Sequence, residues 1–149
     1  MNRVTRNRIL IWIIFLGLAN FASYTVMYWY IAGDAKNGMV EGGKFYVRGH
    51  HLRHRTGEFS EVSRGMWIYS YIHSISIWPT IAAVLLSMFI LARPHIIATM
   101  KADAMIRGPT FVTIGMTVVV LITAASTLYF LLDFFRALAI IRDGGSIGT

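Results

Sequence analysis

Cysteine is absent from the 149 residues. That excludes disulfides, thiolate catalysis, iron–sulfur clusters and Cys-held zinc. Proline occurs three times and acidic residues only seven times, and charged residues of both signs make up 14% of the chain against 56% hydrophobic. No Asn-x-Ser/Thr triplet occurs, nor any Ser–His–Asp arrangement, phosphate-cradling loop or pair of carboxylates inside an apolar run. No catalytic arrangement of residues is present, and enzymatic activity by this chain alone is not expected.

The scarce charges are also unevenly placed. Not one Asp, Glu, Lys or Arg falls within 9–31, 66–92 or 110–132. A soluble helix keeps charges on its outer face. These three runs have no charged face, so the medium around them is expected to be lipid. At about 1.5 Å per residue each run exceeds the roughly 30 Å of a hydrocarbon core. The sequence therefore predicts an all-α membrane protein with three transmembrane helices in an up-down-up bundle. Its expected parts are a first span 9–31, a polar loop 33–65, a second span 66–92, an interfacial connection 93–109, a third span 110–132 and a tail 133–149. The apolar run at 9–31 goes on through Tyr28–Ile31, past the length of a signal peptide, and reads as an uncleaved anchor.

Polar residues inside the runs predict how the spans pack. Asn20 lies near the middle of the first and is expected to bond a neighbouring helix, since the acyl medium offers its amide no partner. In the second, Tyr69, His73, Ser76, Thr80, Ala83 and Ser87 recur at alternating spacings of four and three, a seam expected to face protein. Thr113, Thr117, Val120, Ala124 and Thr127 form a similar line in the third, expected to meet the seam of the second. Pro79 predicts a kink, Arg93–Pro94 a helix end, and Asp133 with Arg136 an ion pair one turn apart.

The loop predicts a turn at Gly42–Gly43 followed by a short strand over Lys44–Val47. Beyond it, Arg48–Arg55 is dense in Arg and His. His50, His51 and His54, with Glu58 four residues on, have the spacing of a divalent-metal site on a helix face. The competing expectation is that Arg48, Arg53 and Arg55 rest on lipid headgroups or an acidic partner. His73 is the one histidine within a span, and an intramembrane histidine is a functional candidate: an axial haem ligand, a step in a proton path, or a structural hydrogen bond.

The net charge of +7 is carried by the segments outside the runs, which favours anionic headgroups over nucleic acid. Basic residues split six against eight between the two sides. The dense Arg3, Arg6 and Arg8 before the first span decide for a cytoplasmic N-terminus, in the inner membrane if the source is bacterial. Three helices bury little area against one another. The expected role is a structural, accessory or anchor subunit of a larger membrane assembly, or a self-associating one. A haem-bearing electron-transfer anchor using His73 and a small oligomeric ion or proton conductor are the alternatives.

Overall fold

A computed structural model of the chain describes residues 2–49, 57–100, 105–142 and 145. Three long helices dominate: α1 (Arg3–Tyr30), α2 (Arg64–Thr99) and α3 (Gly108–Arg142). All three are long and apolar enough to cross a membrane. Between α1 and α2 lie three strands, β1 (Asp34–Glu41), β2 (Lys44–Arg48) and β3 (Phe59–Val62), in one antiparallel sheet of order β1-β2-β3. The all-α expectation is thus corrected: the segment read as a polar loop is in large part a folded sheet, and the expected strand at Lys44–Val47 is its central member.

The helices outrun the apolar runs. With 36 and 35 residues, α2 and α3 reach about 54 and 52 Å. Pro94 does not end α2, which holds both Pro79 and Pro94 and runs on to Thr99. A proline removes one backbone hydrogen bond, whereas a broken helix in an apolar medium would strand several. Nor does α3 end where charge first appears at Asp133. It continues to Arg142, so much of the expected tail is helix.

Local chemistry explains the turns. The end of α1 is closed by Gly33 N–H donating to the Tyr28 carbonyl (2.9 Å) and Ala32 N–H to that of Trp29 (3.4 Å). Ala32 takes the left-handed conformation (φ 64°) that this helix ending requires and that glycine usually fills. Gly42 and Gly43, at φ 57° and 77°, supply the two-residue turn between Glu41 and Lys44.

The chain divides into two compact units, and each long helix contributes to both. One unit takes α1 through Asn20 together with Trp78–Ser126. Within it a Cβ on Gly17 would strike the Val84 side chain, so glycine is what lets α1 and α2 approach closely here. Asn20 Nδ2 donates to Thr80 Oγ1 at 2.9 Å, the interhelical bond expected of it. Gly115 of α3 sits against the Phe89 ring and Gly108 against the Ile97 backbone, so α2 and α3 run antiparallel.

The other unit holds Phe21–Ile77 and the chain from Thr127 onward, and includes the whole sheet. Its core resembles that of a small soluble domain. Ala35, Val40 and Val47 from the strands meet Trp67, Tyr71 and Ile75 from α2 and Phe134 and Ala137 from α3. Trp67 is 2% exposed and links the layers, with ring centroids 5.8 Å from Phe45 and 5.1 Å from Tyr71.

The expected line on α3 is corrected. Thr113, Thr117, Val120 and Ala124 are exposed, and Val112, Gly115, Met116, Val119 and Thr123 lie inward. Meanwhile Thr80, from the polar seam of α2, turns to α1 with Val84 beside it. In the first unit Phe89 packs on α3 at Gly115, and in the other Tyr71 packs on Phe134, so α2 turns aromatic side chains rather than threonines to α3, as burial of apolar area favours.

Candidate functional site

The polar groups of the sheet-bearing unit gather where α1 ends, α2 begins and β1 passes between them. Gly33, at a φ of 149° that side-chain-bearing residues rarely adopt, leads the chain from α1 into β1, and Asp34 lies in the interior at 6% exposure. Its carboxylate accepts from the Asn37 backbone N–H (2.9 Å) and from the Asn37 amide (2.9 and 3.0 Å). The Tyr24 hydroxyl stands 3.5 Å from Oδ2, at the outer limit of a bond. Next along β1, Ala35 N–H donates to Ser70 Oγ at 3.0 Å, and Ser74 donates to the Ser70 carbonyl at 3.0 Å.

Tyr24 and Tyr69 flank the His73 ring, each with its centroid 5.4 Å away and near edge-on. A small cleft of about 10 Å³, room for roughly one water molecule, opens here, lined by Tyr24, Tyr28, Ile31, Tyr69, Ser70 and His73 among others. Ordinary pockets for small organic ligands occupy roughly 300–1,000 Å³, so a porphyrin does not fit within this cleft.

A second cluster ties β1 to α3. Lys36 Nζ lies 2.8 Å from Asp133 Oδ2, and Tyr71 donates its hydroxyl to the same oxygen. Lys36 also stands over the rings of Tyr129 (5.8 Å) and Phe130 (5.5 Å). The expected partner of Asp133 was Arg136, one turn away. The strand instead brings a lysine from far along the chain, because sheet formation carries Lys36 onto the emergent end of α3. Lys36 and Asp133 side chains are 22% and 36% exposed, so solvent screens the pair partly. Replacing Lys36 by Met or Asp133 by Asn is expected to cost about 1–2 kcal/mol each. The double variant should cost clearly less than the sum, as a thermal-melt double-mutant cycle in detergent would measure. Additive losses would show that the pair contributes nothing.

On the outer face of the sheet Lys44 Nζ meets Glu61 Oε2 at 3.0 Å. The hydrogen bond and charge of Glu61 push the Lys44 ammonium above its ordinary range. Arg48 stacks its guanidinium on Phe59 at 5.2 Å, and its buried Nε has no hydrogen-bond partner among the described residues.

Other residues singled out in the sequence are placed as follows. Ser76 donates to the His73 carbonyl at 2.7 Å rather than to another helix. The Thr127 hydroxyl is buried and has no partner among the described residues. His50, His51, His54, Arg53 and Arg55 lie outside the described residues. Among the described residues no three His, Asp or Glu side chains are grouped to hold a metal ion. Asp34, Lys36, Tyr71 and Asp133 were not singled out as site residues. The available signal was that Asp133 is the first charge after an uncharged run, where an acid needs a nearby cation. The chain matches no protein-family model, no curated protein and no solved structure.

Proposed function

We propose that the chain is a multi-pass integral membrane protein that serves as a structural or accessory subunit of a larger membrane assembly, with no catalysis of its own. Its N-terminus lies in the cytoplasm and its sheet on the opposite side. The observation that carries this reading is the outward face of α3. Thr113, Thr117, Val120 and Ala124 are exposed there, although α3 has an inward face of its own. In lipid, small and hydroxylated residues collect where helices meet one another, and large apolar residues face the acyl chains. The outer side of α1 shows the second pattern, with Trp12, Phe15 and Leu16 each at least 60% exposed. On α3 that small and hydroxylated stripe runs beside exposed Ile114, Leu121 and Leu128, so a helix-binding sector there adjoins a lipid-facing one. The His73 cleft is too small to favour the haem anchor, and no carboxylate within an apolar run favours the conductor.

The test is mild solubilisation followed by size analysis. The wild-type chain is expected to elute with partner subunits, and Thr117→Leu with Ala124→Leu to release it as a folded monomer of unchanged helix content. A wild-type chain that elutes alone in every mild detergent would refute assembly. Reporter fusions should place its two ends in opposite compartments. Both ends in one compartment would refute the three-span topology.

A further inference from the structure

We infer that the outer edge of β3 is a docking site for one extended, basic segment of a partner subunit, taken up as a fourth strand. This rests on the assembly role proposed above and names one of its contacts. β3 ends the order β1-β2-β3, so its far side has no strand beside it among the described residues. A strand edge presents N–H and C=O groups that another chain can pair with. The opposite edge of the sheet is finished differently. On β1, Ala35 N–H donates to Ser70 Oγ of α2 at 3.0 Å, and Lys36 Nζ is held by Asp133 of α3 at 2.8 Å. Helices already supply partners at β1, and the edge of β3 is left to take a further strand.

A groove of about 460 Å³ runs along this edge. One wall is formed by the consecutive residues 60–63 and the other by 30–32, where α1 ends. Successive residues of a strand face opposite sides of a sheet, so a groove over one face would touch every second residue. Lining by consecutive residues places the groove along the edge itself. Spread over four residues at about 3.3 Å each, the volume leaves a cross-section of about 35 Å², roughly 6 Å each way. One strand, at a spacing of about 4.8 Å, fits that width. A helix, about 10 Å across, does not. Nor does the sheet of a second copy, since two strands need about 10 Å beyond the edge.

The lining selects the charge of the occupant. Glu61 is its charged residue, and no Lys or Arg lines it. The Glu61 side chain gives Oε2 to Lys44 but is 53% exposed, which leaves the carboxylate open to a second cation. At the other wall α1 has no basic residue in its last turn, so the partial negative charge of its C-terminus is not compensated there. Ser60 and Tyr30 offer hydroxyls, and Ile31 and Val62 apolar contact. That mixture suits a strand of alternating basic and β-branched residues. The groove lies where the run 9–31 ends and before the run 66–92 begins, so an aqueous segment of a partner can reach it.

The experiment uses the full chain in a mild non-ionic detergent and a fluorescent seven-residue peptide of alternating Val and Lys, followed by anisotropy. Lys on the side of Glu61 and Val on the side of Val62 fix which alternate amides of an inserted strand point at β3. The peptide is therefore also made with one set of alternate amides N-methylated, and with the other set. One set should weaken binding by roughly five- to hundredfold, the loss of two backbone hydrogen bonds, and the other clearly less. This readout needs no variant of the protein. A peptide of alternating Val and Glu should bind roughly two- to fivefold more weakly, as one exposed ion pair allows, and Glu61→Gln should erase that margin. Equal sensitivity to the two methylated sets, or none, overturns the inference. So does a Val and Glu peptide bound as tightly, or a margin that survives Glu61→Gln. A chain that elutes as a dimer and separates when the peptide is added gives the edge to a second copy and overturns the partner segment. Failure of the assembly reading is distinguishable: the chain then elutes alone yet binds the peptide with the same dependence on methylation.

Discussion

Replacing Trp67 by Ala is expected to unfold the sheet and its supporting helix turns while the apolar helices persist. Trp67 is 2% exposed, touches Phe45 of β2 and Tyr71 of α2, and is the largest fully buried side chain among the described residues. Truncating a buried tryptophan costs about 3–5 kcal/mol. The sheet buries only a few aliphatic side chains, chiefly Ala35, Val40 and Val47, so it has little reserve to absorb that loss. The indole Nε1 has no hydrogen-bond partner among the described residues, so the contribution comes from packing, and Trp67→Phe should recover part of it. Hydrogen exchange by mass spectrometry would check this. Amides of β1, β2 and β3 should exchange roughly a hundredfold faster or more, whereas those of the apolar part of α2 keep their protection. Equal loosening of both regions would show that the sheet and the helices unfold as one body. Unchanged protection of the strands would show that Trp67 does not hold them.

Gly38→Val is expected to break the pairing of β1 with β2. The position is buried, and a Cβ there would collide with the Tyr46 carbonyl and come within 3.0 Å of Val47 Cα. These are backbone atoms of the neighbouring strand and cannot swing aside as a side chain would. The register between β1 and β2 also shifts between Asp34 and Met39, and Gly38 lies in that irregular stretch. The absent side chain is thus what lets β1 cross close over β2 while keeping Val40 in the core. Overpacking costs about 1–3 kcal/mol where side chains can adjust, and the upper end or more applies against a backbone. The melting transition of the sheet-bearing unit should fall by on the order of 10 °C, followed by near-ultraviolet circular dichroism of Trp67 and Tyr71. Gly42, whose added Cβ would meet nothing within 4 Å, is the control for a glycine needed for its turn rather than for space. If Gly38→Val melts like the wild type, the close crossing is wrong.

Parts of this architecture are written locally. Long helices over all three uncharged runs follow from the absence of charge. Asn20 in mid-run announces an interhelical bond, because an amide in an apolar medium must find a partner nearby, and Thr80 supplies it. Gly42–Gly43 announces the hairpin, because two successive positive φ values suit glycine. The candidate site was much less legible. His73 was identifiable as a lone intramembrane histidine, but its two flanking tyrosines come from different helices. Asp34 read as a turn residue, since nothing in Gly33–Asn37 says that the carboxylate is turned inward.

What the sequence determined by itself is the existence and approximate placement of the three helices, though not their ends, and the site of the first β-turn, since charge content and backbone preference act over a few neighbouring residues. The tertiary structure alone decided that 34–48 and 59–62 form a sheet with its own core, that Lys36 rather than Arg136 pairs with Asp133, and which face of α3 is left outward. The physical reason is that Val40, Val47, Trp67, Tyr71, Phe134 and Ala137 are scattered across nearly a hundred residues. In the chain they look like strand fragments, an interfacial aromatic belt and the end of a span. They become one core only when burial of their shared apolar area outweighs the entropy of bringing them together.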